Sequence, residues 1–230
     1  MERAHPDRPY VVANMIASAD GRATLGGRTE GISSETDRVL FHSLRAQVDA
    51  VMVGTGTIAI ERYGPLARRP EVREQRIALG LPETPLGVTA SRSMELPADA
   101  PLFEDPESHV VVLTNSDREP PPCRCRLTIE RFPGAELDLT AGMSVLRQRH
   151  GVRAMLLEGG PTLLAAMLEP GLVDELFLSI SLLLVGGDEP SLLEGMALEQ
   201  PLPLQLVSLM EEEGFLYLRH RVGAEPATGP

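Results

Sequence analysis

The segment of this sequence best suited to chemistry is Glu-Gly-Gly-Pro at residues 158–161. The apolar residues 154–157 before it predict a buried strand, and Pro161 suits the first position of a helix that reaches about residue 168. Amide groups at such a helix start carry partial positive charge and suit the diphosphate of a nucleotide. Because glycine turns also serve packing alone, a tight crossover without a ligand is the alternative interpretation.

A second glycine turn, Gly-Thr-Gly-Thr at residues 54–57, follows a short apolar strand at residues 49–53 and precedes a helical stretch at residues 58–61. In an open sheet, ligands collect at the carboxyl ends of parallel strands. The two turns could therefore grip opposite sides of one nucleotide. Neither turn has the Gly-x-Gly-x-x-Gly pattern of the usual dinucleotide fingerprint.

Ser91 and Arg92 follow a third predicted strand, residues 85–90. A hydroxyl and a guanidinium at a strand end suit the 2′-phosphate that distinguishes NADPH from NADH. We therefore expect these two residues to determine whether NADPH or NADH binds.

All 21 basic residues are arginine, so Schiff-base chemistry, pyridoxal phosphate attachment and a P-loop lysine are excluded. Arginine suits two-pronged contacts with phosphate, which leaves a phosphorylated ligand open. Arg45 lies near the end of a helix predicted from Ser33 or Ser34 to about residue 47. Arg69 lies in a proline-rich and arginine-rich stretch, residues 63–84, which is predicted as a loop. For Arg45 the alternative is a surface arginine that interacts with the last carbonyls of the helix. For Arg69 the alternative is a loop charge that faces water.

Composition limits the remaining choices. The net charge of −12 argues against nucleic acid, whose binding depends on dense positive charge. Two cysteines, Cys123 and Cys125, make no disulfide framework, and the five histidines show no metal-ligand spacing, so no metal site is predicted. No signal segment or membrane-length apolar run is found, which predicts a cytoplasmic protein without membrane contact. One domain over residues 1–222 is predicted, with a disordered tail at residues 223–230.

Further strands are predicted at residues 10–17, 109–114, 127–132 and 176–185, a helix at residues 140–150, and a terminal hairpin from residues 204–210 and 215–221. Strands that alternate with helices indicate a mostly parallel central sheet with helices on both faces. The hairpin adds an antiparallel edge. The predicted fold class is therefore α/β.

The residues that carry a family resemblance lie at 17–22, 44–46, 49–57, 63–66, 158–163 and 172–176. In their order and spacing, these residues make the chain resemble the reductase domain of bacterial riboflavin biosynthesis. This domain is the 5-amino-6-(5-phosphoribosylamino)uracil reductase, and the resemblance extends from residue 9 to residue 222. That domain belongs to the dihydrofolate-reductase-like superfamily. The resemblance implies an NADPH-dependent reduction in which hydride reaches C1′ of a phosphoribosylamino-pyrimidine and gives a ribitylamino product.

The resemblance also implies site residues, which join those singled out above. The predicted cofactor-binding residues are Gly31, in a loop that covers the nicotinamide, and Thr55, Gly56, Thr57, Glu61, Ser91, Arg92, Gly159, Gly160, Pro161, Thr162 and Leu163. The predicted substrate-binding residues are Asn14, Asp20, Thr29, Arg45, Leu66 and Arg69. Glu158 is the predicted catalytic residue, placed to orient or protonate the opened ribose imine.

Three positions depart from the family pattern: Asn14 stands where lysine is frequent, Glu61 where aspartate is frequent, and Gly31 where tryptophan is frequent. The zinc deaminase motifs that often precede this reductase are absent, so a stand-alone reductase is expected. A homodimer is expected as well, because it is common in the family and because the apolar run at residues 177–185 exceeds one ordinary strand. The alternatives are a reductase of the same fold for a pterin, a folate or another pyrimidine, and a nucleotide-binding module without catalysis.

Overall fold

The computed structural model describes residues 5–195 and 198–223. Its strands are β1 (Tyr10–Ser18), β2 (Ala50–Met52), β3 (Leu86–Ala90), β4 (His109–Thr114), β5 (Arg126–Arg131), β6 (Ala154–Leu157), β7 (Glu175–Ser181), β8 (Leu204–Glu212) and β9 (Phe215–Val222). Its α-helices are α1 (Glu35–Arg45), α2 (Thr55–Ile60), α3 (Pro70–Ala78), α4 (Pro101–Glu104), α5 (Leu139–Gln148) and α6 (Pro161–Leu168), and a 3-10 turn covers Glu30–Ile32.

The described residues divide into two compact units. The first unit contains residues 5–10 and 42–156, and the second contains residues 11–41, 157–195 and 198–223. None of the described helices is long and apolar enough to cross a membrane.

In the first unit the strand order is β5-β4-β3-β2-β6. The pairs β2/β3, β3/β4 and β4/β5 are parallel. Strand β4 reads as an unbroken apolar run, and its Val110, Val111 and Val112 are completely buried. An unbroken run of this kind is typical of a parallel strand covered on both faces, whereas a half-exposed strand alternates.

In the second unit the strand order is β1-β7-β9-β8. Strands β1 and β7 are parallel, and β9 pairs antiparallel with both β7 and β8. The β8–β9 hairpin turns through Glu213 and Gly214, whose φ angles of 53° and 76° are both positive. Two positive φ angles match a type I′ turn, whose twist fits the flanking strands.

The predicted α/β class is confirmed, with mostly parallel strands and a C-terminal antiparallel hairpin. Strand β6 and helix α6 have the bounds predicted for them. Helix α2 begins at Thr55, inside the predicted glycine turn at residues 54–57, so the turn and the predicted helical stretch form one element.

Two predicted elements differ from the structure. Residues 63–84, predicted as a loop, contain helix α3, which starts at Pro70 and buries Val72 and Arg76. Strand β7 ends at Ser181, although the apolar run continues to residue 185. Beyond the strand, the Asp20 carboxylate accepts the amides of Val185 and Gly186, at 3.0 and 2.7 Å.

The single domain over residues 1–222 stays a prediction. The predicted tail lies outside the described residues, except for Gly223. The amide of Gly223 donates to the Pro203 carbonyl at 2.9 Å.

Candidate active site

The predicted site residues fall in both units, and each group is described within its own unit. The first unit holds the α2 turn, Ser91, Arg92 and the predicted substrate-binding residues Arg45, Leu66 and Arg69. The second unit holds Glu158 with its glycines, Asn14, Asp20, Thr29 and Gly31.

In the first unit, Thr55, Gly56 and Thr57 form the first turn of α2, and Gly54 caps the helix with an extended backbone. The first amides of a helix have no intrahelical acceptor, so this turn presents donors as well as two threonine hydroxyls. Glu61 ends the same helix, and its amide donates to the Thr57 carbonyl at 3.0 Å. The helix has only six residues, so its amides and hydroxyls matter more than its dipole.

Ser91 and Arg92 follow strand β3 in the first unit. Ser91 is buried, and its amide donates to the Leu113 carbonyl at 3.0 Å, which fixes the end of the strand. Arg92 is exposed, and within residues 5–195 and 198–223 it forms no ion pair. A serine hydroxyl next to an exposed guanidinium is an arrangement that can bind phosphate.

Arg45 and Leu66 contact each other in the first unit. The Arg45 Nη1 donates to the Leu66 carbonyl at 3.3 Å, and the guanidinium lies 5.4 Å from the centroid of the Tyr63 ring. Arg45 is only 6% exposed, so it is not the surface arginine of the alternative interpretation. Arg69 is exposed and caps α3 with its backbone, and its carbonyl accepts from Val72 at 3.1 Å.

In the second unit, Glu158 directly follows β6 and is 7% exposed. Gly159 has a φ of +76°, and the peptide bond between Gly159 and Gly160 is cis. A Cβ atom at Gly159 would lie 2.9 Å from Sδ and 3.1 Å from Cε of Met15. Both the backbone conformation and the contact with Met15 therefore require glycine here.

Helix α6 starts immediately after this turn, with Gly160 as its cap and Pro161 at its first position. Its first turn contains Thr162, which is exposed, and Leu163, which is half-buried. Its other face packs inside the unit, where Leu164 and Ala165 are buried. The start of α6 thus leaves amides and one hydroxyl accessible beside Glu158.

Asn14 lies in β1 and is 9% exposed. Its Oδ1 atom has no hydrogen-bond partner in the described part of the chain. A buried amide oxygen without a donor is uncommon in folded proteins, because desolvation of the acceptor is then uncompensated. A ligand donor would compensate it.

Asp20 is occupied by contacts within its own unit. Its carboxylate accepts from the Ser18 hydroxyl at 2.6 Å and from the amides of Val185 and Gly186. These hydrogen bonds, that of Ser18 first, hold the pKa of Asp20 well below its usual range. Asp20 therefore anchors the chain after β7, and its contact with a substrate stays a prediction.

Thr29 and Gly31 belong to the segment around the 3-10 turn, where the Thr29 carbonyl accepts from the Ile32 amide at 3.0 Å. A Cβ atom at Gly31 would lie 2.9 Å from Cδ2 and 3.2 Å from Cβ of Leu25. Leu25 thus occupies the space in which a larger side chain at residue 31 would begin.

Sequence reasoning missed two buried features. Arg76 in α3 is fully buried, and its guanidinium donates to backbone carbonyls of the first unit. Pro70 followed by Glu71 is a helix-start signal that could have revealed α3. In the second unit, Asp37 accepts from the Ser179 hydroxyl at 2.7 Å, a pairing over 142 residues that no local pattern predicts.

No group of three or more histidine, cysteine, aspartate or glutamate side chains that could hold a metal ion is found among the described residues. The predicted site residues supply arginines, hydroxyls, amides and the carboxylates of Asp20, Glu61 and Glu158.

A protein-family model, described as the RibD C-terminal domain, matches residues 9–213. The chain belongs to the RibD C-terminal domain family. This confirms the resemblance to the riboflavin reductase domain noted in the sequence.

Two curated relatives of this chain are both named 2,5-diamino-6-ribosylamino-4(3H)-pyrimidinone 5′-phosphate reductase. The protein of Archaeoglobus fulgidus is 31% identical over 192 residues, which covers 82% of this chain and 87% of that protein. The protein of Methanothermobacter thermautotrophicus is 32% identical over 202 residues, which covers 84% of this chain and 87% of that protein.

Solved structures agree with the fold of the RibD C-terminal domain. A pyrimidine reductase-like protein from Corynebacterium diphtheriae superposes with a TM-score of 0.80 at 24% identity, over 95% of this chain and 94% of that one. A riboflavin biosynthesis reductase from Saccharomyces cerevisiae gives a TM-score of 0.70 at 18% identity, over 96% of this chain and 92% of that one. At such identities the likeness concerns the fold alone.

Proposed function

We propose that this chain is an NADPH-dependent reductase of riboflavin biosynthesis that converts the ribosyl group of a phosphoribosylamino-pyrimidine into a ribityl group. The observation that carries the proposal is the match to two archaeal phosphate reductases over most of both chains. The buried Arg45 and the exposed Arg69 supply guanidinium groups for a phosphorylated substrate in a chain without lysine.

The residues present fit a nicotinamide dinucleotide. In the second unit, a Cβ atom at Gly159 would press against the end of the Met15 side chain, and α6 starts two residues later, at Pro161. We assign residues 159–163 to the cofactor diphosphate, because helix-start amides favour anions. In the first unit, the hydroxyls and amides of the α2 turn and the carboxylate of Glu61 are assigned to the same cofactor. Gly31, at the 3-10 turn, is assigned to the nicotinamide side.

Ser91 and Arg92 are assigned to the 2′-phosphate of NADPH. Arg92 is exposed and has no ion pair in the described part of the chain, so it can meet a doubly charged phosphate without losing another partner. We expect Arg92→Ala to weaken NADPH binding at least about tenfold while NADH binding changes little. Arg118→Ala, at another exposed arginine, serves as the control. Equal losses for both cofactors would contradict the assignment.

The reaction adds a hydride to C1′ of the ring-opened imine and a proton to the attached nitrogen. NADPH, when bound, supplies the hydride. Glu158 is assigned to orient or protonate the imine nitrogen, which makes C1′ a better acceptor. Its burial at the end of β6 excludes most water from the carboxylate. The rest of the chain positions the substrate, which is where most of the catalytic gain of a hydride transfer arises.

Arg45, Leu66 and Arg69 are assigned to the phosphorylated substrate, Arg45 and Arg69 as the phosphate ligands, since all three lie in one connected part of the first unit. Asn14 is assigned to a donor of the substrate, because its buried Oδ1 lacks a partner among the described residues. Thr29 and Asp20 are assigned to the substrate as well. Their assignment follows the family resemblance.

The deciding experiment follows NADPH oxidation with three substrates in parallel. These are 2,5-diamino-6-ribosylamino-4(3H)-pyrimidinone 5′-phosphate, 5-amino-6-(5-phosphoribosylamino)uracil and dihydrofolate. Turnover with either phosphoribosylamino-pyrimidine, and formation of its ribityl product by mass spectrometry, supports the proposal. Turnover with dihydrofolate alone would contradict the proposal and would indicate a folate reductase instead. Tight NADPH binding without turnover of any of the three would replace it with a nucleotide-binding module.

We further propose that the chain forms a homodimer through β8. The strand exposes Leu204, Leu206, Val207, Leu209 and Met210, each between 41% and 57%. It also ends the strand order of its unit, so one edge has no partner strand within the described residues. Exposed apolar edges favour pairing with another strand. Leu209→Lys is expected to give a monomer by light scattering, whereas Leu79→Lys, at an exposed leucine in the first unit, keeps the dimer. A wild-type monomer would contradict the proposal.

Location in the cytoplasm stays a prediction.

A further inference from the structure

Arg76 is a fully buried arginine in the middle of the first unit. Its Nη1 donates to the carbonyls of Arg45 and Val48, both at 2.7 Å. Its Nε donates to the carbonyl of Pro82 at 2.8 Å. The guanidinium therefore joins the end of α1, the loop that follows it and the loop after α3.

This arrangement is unusual for a buried cation. Within residues 5–195 and 198–223, Arg76 has no carboxylate in an ion pair, and its Nη2 has no hydrogen-bond partner. The charge is instead stabilised by backbone carbonyls at the C-terminal end of α1, where the helix carries partial negative charge. Burial lowers the pKa of Arg76 to about 10, and the charge of Asp49 opposes this effect. The guanidinium group thus donates hydrogen bonds to backbone carbonyls and does not pair with a carboxylate.

The backbone that Arg76 holds is the one from which Arg45 projects. Arg45 is the last residue of α1, and its carbonyl is one of the acceptors of Arg76. The Arg45 side chain in turn contacts the Leu66 carbonyl and the Tyr63 ring. Fixing the end of α1 therefore fixes the origin of the Arg45 guanidinium.

A second arginine of α3 holds the neighbouring segment. The Arg73 Nε donates to the carbonyl of Ala67 at 2.8 Å, next to Leu66. Ala67 also packs with Ala46 and Val72 in a small buried cluster. Since Arg69 caps α3, this one helix supports Arg45, Leu66 and Arg69 together. The three predicted substrate ligands of the first unit thus share one support.

We propose that Arg76 is a positioning residue that fixes Arg45 for binding of the substrate phosphate, and this inference rests on the proposed function. Arg76 does not touch the substrate, because it is fully buried and its Nη1 and Nε bind backbone. Its effect is therefore transmitted through the backbone of Arg45. A displacement of a phosphate ligand by about 1 Å can cost about 100-fold in activity, so small losses of position are measurable.

Two variants test the inference. Arg76→Lys keeps the charge, but one ammonium group on a flexible stem cannot reproduce the fork that reaches three carbonyls. Arg76→Met removes the buried charge with an apolar side chain of similar length, and it leaves the carbonyls of Arg45, Val48 and Pro82 without this donor. We expect both variants to raise KM for the phosphorylated substrate at least about tenfold, with kcat within about threefold of wild type. Arg118→Lys, at an exposed arginine, should change neither constant.

The readout that separates positioning from a general structural role is the preference for phosphate. The ratio of kcat/KM for the phosphorylated substrate to that for the same ribosylamino-pyrimidine without phosphate should fall in both Arg76 variants. It should fall by a similar factor in Arg45→Gln. In the double variant Arg45→Gln with Arg76→Lys, the ratio should be no lower than in Arg45→Gln alone, because both changes act on one contact. NADPH affinity and melting temperature report whether the variants are folded.

Each outcome decides the question. If Arg45→Gln lowers the phosphate preference and neither Arg76 variant does, the positioning role is overturned and the proposed function stands. If folded Arg76 variants lose activity equally with both substrates, Arg76 is structural only. If neither Arg76 variant folds, Arg76 is a folding residue and the positioning role is likewise overturned. If Arg45→Gln has no effect on the ratio, the phosphate role of Arg45 is wrong, and the inference falls with it. If wild type turns over neither phosphorylated substrate, the proposed function fails first.

Discussion

Gly159→Ala tests the turn between Glu158 and α6 most directly. A new methyl group would have two costs there. The first is the positive φ of 76°, which costs an L-residue about 1–2 kcal/mol. The second is contact with Met15, because the Cβ would lie 2.9 Å from Sδ and 3.1 Å from Cε. Met15 is 7% exposed, so its side-chain end can yield only within a packed core.

We expect the contact with Met15 to cost about 1 kcal/mol, near the lower limit for an overpacked core, because the Met15 atoms lie at the end of a flexible side chain. Gly159→Ala should then lower the free energy of unfolding by about 2–3 kcal/mol in urea denaturation. Displacement of the turn amides should also weaken NADPH binding at least about tenfold, measured by quenching of nucleotide fluorescence.

Two further variants separate these costs. Gly171 has a φ of +68° and nothing within 4 Å of a built Cβ, so Gly171→Ala reports the backbone cost alone. We expect it to cost about 1–2 kcal/mol and to leave NADPH binding unchanged. Met15→Ala opens space for the new methyl group. The double variant should therefore be about 1 kcal/mol more stable than the sum of the single changes predicts. If Gly159→Ala destabilises no more than Gly171→Ala and keeps full NADPH affinity, the reasoning is refuted.

Three further outcomes follow from other contacts. Glu158→Gln should lower kcat at least about 100-fold while NADPH affinity stays within about threefold, measured by steady-state kinetics and equilibrium titration; unchanged kcat would remove Glu158 from the mechanism. Ser34→Ala should lower the free energy of unfolding by about 1–3 kcal/mol, because the Ser34 hydroxyl caps α1 and contacts the Tyr217 hydroxyl at 2.7 Å. Adding Tyr217→Phe should cost little more, and full additivity would contradict the pairing. Burial, then the nearby charge of Arg126, lowers the pKa of His109 below 6.5. The folded protein therefore binds this proton less readily than the unfolded chain, and stability is lost as the pH falls below about 6.5. The melting temperature of His109→Asn should fall less than that of wild type between about pH 7.5 and about pH 5, and parallel curves would contradict this.

The parts of the fold predicted from sequence are those with local signals. Strand β6 is an apolar run, Gly159 supplies a positive φ, and Pro161 opens α6, so three neighbouring signals agree on one element order. The family match agrees with them. When local signals agree with the global fold in this way, the structure of a segment can be predicted from its sequence.

Helix α3 was missed because its arginines were interpreted by residue type. Arginine usually faces water, yet Arg76 is fully buried, and its acceptor at Arg45 lies 31 residues away. A carbonyl acceptor has no residue type, so no sequence pattern marks it. The end of β7 was missed for a similar reason. The Asp20 carboxylate that takes the amides of Val185 and Gly186 lies 165 and 166 residues earlier in the chain.

The departure at Gly31 has a local explanation in the second unit. Leu25 lies against Gly31, with Cδ2 at 2.9 Å from the position of a Cβ. Leu25 is itself held in a tight turn, because its amide donates to the Arg28 carbonyl at 2.9 Å. The Glu189 carboxylate closes that turn by accepting the amides of Gly26 at 2.8 Å and Gly27 at 3.2 Å.

These contacts make residue 31 and residue 25 one structural feature. A tryptophan at residue 31 would displace Leu25, whereas glycine allows Leu25 to cover the same place with an apolar surface. Leu25 is 45% exposed, so this surface remains available to a ligand. Next to Gly31, the apolar surface is therefore supplied by the Leu25 side chain. A larger side chain at residue 31 would therefore act on Leu25 and, through the turn, on the contacts of Glu189.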